Sequence, residues 1–89
     1  MEVQELAPGL WRWSARRDNA EVWCLYVETD AATVLIDPVL PDEPERFFRA
    51  LDRDLERRGK PLAILCTSAE HEREAAPLVE RYEATLLRA

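Results

Sequence analysis

The stretch Val22-Trp-Cys-Leu-Tyr-Val-Glu-Thr29, VWCLYVET, decides how this chain can fold. It is rich in β-branched and aromatic residues, and a strand sends successive side chains to opposite faces of its sheet. Val22, Cys24 and Tyr26 then face one side, and Trp23, Leu25 and Val27 the other. Both faces of the sheet are apolar here, so both need cover. The architecture depends on how much cover the rest of the chain supplies.

Upstream, EVQEL (Glu2 to Leu6) alternates, Pro8-Gly9 is a turn dipeptide, and LWRWS (Leu10 to Ser14) alternates again with Trp11 and Trp13 on one face. Asp18-Asn19 supplies hairpin chemistry, because both residues tolerate left-handed backbone. Downstream, a two-residue link leads from VWCLYVET into ATVLID (Ala32 to Asp37), a second hairpin. The period then changes from two to 3.6. Phe47, Phe48, Leu51 and Leu55 form a helical stripe, with Asp42 and Glu45 in capping-box spacing, Pro44 suited to the first turn and Gly59 just past the end. LAILCT (Leu62 to Thr67) reads as a buried parallel strand. A second helix is expected from about Glu70 to Tyr82, its start blurred by Pro77, and ATLL (Ala84 to Leu87) as a last strand.

Four meandering strands followed by helix, strand, helix, strand define an α/β (α+β) domain with a mixed sheet of about six strands. Parallel crossovers are right-handed, so two that step the same way place both helices on one face. The other face is left bare, and the pattern leaves open whether it is the one with Val22, Cys24 and Tyr26 or the one with Trp23, Leu25 and Val27. At 89 residues the chain (1–89) is a single domain with no room for a second core. The expected occupant of the bare face is a second copy or a complementary half-domain, with Trp11, Trp13, Trp23, Leu25 and Val27 as interface residues.

Composition narrows the function classes. Apolar residues make up 47% and charged residues 34%, a globular balance, with the charges interspersed as on solvated helix faces. A formal net charge of −6 without a basic patch argues against nucleic acid and anionic membranes as partners. No signal peptide or membrane-length apolar run is visible, so a cytoplasmic protein is expected. Cys24 and Cys66 lie in apolar runs and read as buried reduced thiols, with a disulfide or redox pair as the alternative.

Candidate chemistry gathers in ILCTSAEHEREA (Ile64 to Ala75), where a strand empties into a helix N-terminus. Glu70, His71, Glu72 and Glu74 are potential ligands, but only His71 and Glu74 share a helix face, and a zinc site needs at least three convergent donors. The structural reading explains the same residues. Thr67 and Glu70 have capping-box spacing, and His71, Ala75, Leu78 and Tyr82 form one stripe. A nucleophile pair would have to join His71 to Ser68, Thr67 or Cys66, without the sharp glycine turn that exposes a catalytic serine. Asp37 is expected to bond its own loop backbone, and the tryptophans to serve core or interface. No glycine-rich phosphate loop or C-x-x-C is present.

In order and spacing, VQELAPGLWRW, EVWCLYVETDAATVLIDP, the capped helix and LAILCTSAEHEREAAPLVERYEATL together resemble the N-terminal half of the metallo-β-lactamase-fold hydrolases. The resemblance implies one half of an αββα sandwich, whose halves pack sheet to sheet. In that family the threonine after the LAILC-like strand is followed by His-x-His-x-Asp-His, which binds one or two metals, usually zinc, and activates water. Thr67 matches, but Ser68 and Glu70 stand where the first two histidines belong, Glu72 replaces the aspartate and Arg73 the last histidine. His71 falls on a spacer, and Glu83 replaces the usual helix-ending glycine. The expectation is a non-catalytic half-domain with no catalytic residue and no cofactor, which dimerises or binds a partner. The alternative is a metal-dependent hydrolase, with zinc, whose site a second chain completes.

Overall fold

The computed structural model describes residues 2–89. Its elements are β1 (Val3–Ala7), β2 (Leu10–Arg17), β3 (Ala20–Glu28), β4 (Thr33–Ile36), α1 (Glu45–Arg58), β5 (Leu62–Cys66), α2 (Ala69–Tyr82) and β6 (Thr85–Arg88). All six strands join one sheet in chain order. The first four pair antiparallel, and β4, β5 and β6 run parallel. This is the mixed α+β sheet that the strand and helix periods predict.

Turn chemistry sets the meander. Asp18 and Asn19 take φ of 52° and 62°, a pair of left-handed residues whose twist matches a two-residue hairpin. Gly9 has φ of 79°, and a Cβ there would meet the Glu28 carbonyl oxygen at 3.2 Å, so the β1–β2 turn needs glycine twice over. The β3–β4 turn closes through Thr29, whose N–H donates to the Ala32 carbonyl at 2.9 Å and whose hydroxyl also bonds Ala32.

Both helices pack on one face of the sheet. Trp13, Ala15, Cys24, Tyr26, Leu35, Leu62, Ile64 and Cys66 meet Phe47 and Leu51 of α1 and Ala75 and Leu78 of α2 in a single core. Phe47 lies over Trp13 with ring centroids 4.7 Å apart. Ile64, at the centre of β5, is fully buried. The helices are tied to each other by Asp52, which accepts from the Tyr82 hydroxyl at 2.6 Å and from Arg81 at 3.4 Å. Burial, and then the Asp52 carboxylate, push the Tyr82 phenol up to about 12.

The helix ends differ from the sequence expectation in three places. Asp42 does not cap α1: its carboxylate accepts from the Asp18 N–H at 3.2 Å across the β2–β3 turn, and Pro44 takes the cap position with no side-chain bond. Thr67 does not cap α2. Ser68 does, accepting from the His71 N–H at 3.2 Å, because Thr67 is engaged elsewhere. Pro77 does not interrupt α2, which runs unbroken from Ala69 to Tyr82. Pro77 sits on the exposed side, so the carbonyl of Arg73 that loses its helical donor faces water. The ends past both helices conform: Gly59 and Glu83 are left-handed, and the Ala84 N–H adds a second bond to the Val79 carbonyl.

Candidate functional site

Two regions carry the residues singled out from sequence: the loops at the carboxyl ends of β4 and β5, and the sheet face opposite the helices. The parallel register aligns Ile36 with Leu65, which brings the residues after both strands together. Asp37, left-handed at φ of 47°, turns its carboxylate onto Thr67. One oxygen accepts from the Thr67 N–H at 2.8 Å and the other from the Thr67 hydroxyl at 2.7 Å. Asp37 therefore bonds a loop 30 residues away rather than its own, and that bond is why Thr67 is unavailable as a cap. The parallel pairing of LID with LAILC was the available signal, since it makes their following residues neighbours.

His71 Nδ1 lies 3.9 Å from Asp37 Oδ1, too far for a hydrogen bond, and has no partner among the described residues. The other candidate groups are spent locally. Ser68 Oγ caps α2. Glu72 accepts from Arg88 at 2.9 Å. Glu74 pairs with Arg17 at 3.1 Å, while Arg17 also donates to the Leu40 carbonyl. Glu70 and Arg73 are exposed.

Among the described residues no group of three or more His, Cys, Asp or Glu side chains is arranged to hold a metal. The residues at the resembled motif positions do not fit zinc: a capping hydroxyl, an exposed carboxylate, a carboxylate held by arginine and a guanidinium. No reaction step follows from them. Burial raises the thiol of Cys66, and Asp37 and Glu72 add to it, so it is protonated and a poor nucleophile. Cys24, pushed to about 11 first by burial, behaves the same way. Both cysteines are buried and unbridged.

The second region is the uncovered sheet face. Trp23, Leu25 and Val27 of β3 share it with Val34 and Ile36 of β4, Leu65 of β5 and Leu87 of β6. Trp23 and Leu87 are 42% and 45% exposed, and the others are half-buried. Arg12 lies over the Trp23 ring at 4.2 Å and donates to Gln4, forming a polar edge at the β2 side.

Of the five expected interface residues, Trp11 and Trp13 need correction. Trp13 aligns with Cys24 and Trp11 with Tyr26, so both belong to the helix-covered face, and Trp13 is buried against Phe47. Their alternation within β2 was legible, but the register against β3 was not. No protein-family model and no curated protein sequence matches this chain. No helix is long and apolar enough to cross a membrane.

Proposed function

We propose that this chain is a non-catalytic domain, resembling the N-terminal half of the metallo-β-lactamase fold, whose role is to associate through its uncovered sheet face, with a second copy as the partner. The carrying observation is the apolar continuity of that face across four strands, Trp23 through Leu87, without a charged side chain between them. A contiguous apolar surface edged by polar residues is the kind of surface that marks an association site. The face is self-complementary in character, because two apolar sheets stack about 10 Å apart and β4, β5 and β6 bring no charged side chain to it. Arg12 and Gln4 at one edge give each copy a polar rim.

With a soluble paramagnetic probe, the methyl groups of Leu25, Val27, Val34, Ile36 and Leu65 should be shielded at tens of micromolar protein and become accessible on dilution. Accessibility at every concentration would refute self-association. The rival is a metal-dependent hydrolase completed by a second chain, favoured only by the 3.9 Å approach of His71 to Asp37 at the strand ends. Stoichiometric zinc, iron or manganese in the purified protein, together with phosphodiester or thioester turnover, would establish that rival and overturn the non-catalytic reading.

A further inference from the structure

The two edges of the sheet are not alike. β1 is blunted where its register against β2 shifts between Glu5 and Ala7. β6 keeps a regular parallel register with β5 through Arg88, and no strand among the described residues lies on its other side. The Ala89 N–H donates to the Cys66 carbonyl at 3.1 Å, so Ala89 and, two residues before it, Leu87 turn their backbone groups toward β5. Leu86 and Arg88 alternate with them and turn their N–H and C=O groups outward. Such a row is a template for one more strand.

A groove of about 490 Å³ runs beside this edge, between the outer flank of α2 and Leu86 of β6. Ala69, Ala76 and Val79 line it from the helix. At one end Arg88 donates to Glu72 at 2.9 Å, which fixes the start of α2 beside the end of β6. Arg73 and Glu80 also line the groove, about 10 Å apart along the helix. Both are exposed, and neither is in an ion pair among the described residues. Arg73 and Arg88 against Glu72 leave one end positive, and Glu80 leaves the other negative. An apolar floor along an unpaired edge, with opposite charges at its two ends, has the form of a site for an extended chain.

We propose that the β6 edge and this groove take an extended peptide segment as an added antiparallel strand, with an acidic residue beside Arg73 and Arg88, a small apolar residue over Leu86 and a basic residue beside Glu80. Antiparallel pairing is the more stable per residue, and residues opposite one another share a face. Peptide positions opposite Arg88, Leu86 and Ala84 therefore point to the groove side. The first and last of them are about 14 Å apart, within side-chain reach of Arg73 and Glu80. The groove lies on the helix side of the sheet, so the proposal stands whether or not the uncovered face pairs.

The probe is the peptide acetyl-Glu-Val-Val-Thr-Lys-amide. One control is the same peptide N-methylated at its central valine, which removes the donor to the Leu86 carbonyl, and the other is the charge-swapped acetyl-Lys-Val-Val-Thr-Glu-amide. In two-dimensional ¹H–¹⁵N spectra the probe should shift the Leu86 and Arg88 amides saturably and slow their hydrogen exchange. The Leu87 amide, turned toward β5, should keep its exchange rate. The N-methylated peptide should bind about tenfold or more weakly, the worth of one hydrogen bond. The charge-swapped peptide should bind about fivefold or more weakly, and the preference between the two charge orders should invert in the double variant Arg73→Glu, Glu80→Arg. The proposal is overturned by an absent or non-saturating shift with the probe, by equal binding of either control, or by a preference that fails to invert in the folded double variant. The three peptides on the unaltered protein decide the question even where the double variant does not fold.

Discussion

Asp37 shows how one side chain can look catalytic and be architectural. It stands at a strand end beside a histidine, yet both of its oxygens are taken by Thr67, which ties the ends of β4 and β5 together. Asp37→Asn keeps a carbonyl acceptor for the Thr67 N–H and a residue that tolerates left-handed backbone, and should lose less than about 1 kcal/mol of stability. Asp37→Ala removes both bonds and the tolerance, and should lose about 2–3 kcal/mol by urea unfolding. Equal losses for the two variants would mean that the carboxylate charge, and with it an interaction with His71, is what matters. A further residue sets a pH dependence. Burial pushes the Glu28 carboxyl up, but the hydrogen bonds from Arg57 and Tyr26 and the nearby Arg58 charge outweigh it and hold the pKa below the ordinary 4.5. A depressed folded pKa stabilises above the unfolded value and loses that contribution as pH falls through the folded one. The stability gap between the native protein and Glu28→Gln should therefore be fully present near neutral pH and shrink as pH falls through the lowered folded pKa. A gap that widens on acidification would contradict it.

Elements were legible from sequence where several local signals agreed, and their ends were not where a distant partner intervened. The meander followed from Pro8-Gly9 and Asp18-Asn19, and α1 from its stripe and Gly59, because turn and helix chemistry act within a few residues. Asp42 and Thr67 had capping spacing, but tertiary contacts with Asp18 and Asp37 claimed them, and no local pattern announces such a contact. In the candidate site the partners of Glu72, Glu74 and Asp37 were illegible for the same reason: ligand spacing can be read along the chain, whereas the Arg88, Arg17 and Thr67 contacts come from other elements. The end of α2 gives its own test. Glu83 sits at φ of 51°, where a Cβ is strained and glycine is not. Glu83→Gly should raise stability by about 1 kcal/mol, read as a higher urea midpoint with unchanged slope. A lowered midpoint would show that the Glu83 side chain, and not its backbone, matters there.

For the whole molecule, the two-sided apolar character of VWCLYVET anticipated a sheet covered on one face only. The structure has both helices over Trp13, Tyr26 and Ile64, and Trp23, Leu25 and Val27 on the face without them. The central claim is that the uncovered face is a self-association surface. Sedimentation equilibrium at tens of micromolar, on the native chain and on Leu65→Glu, tests it most directly. A reversible dimer is expected for the native chain. The variant, which would bury a carboxylate between Ile36 and Leu87 on the face of each copy, should be a folded monomer with association weakened at least about a hundredfold. A native chain that sediments as a clean monomer, or a Leu65→Glu variant that dimerises as well as the native chain, would contradict it.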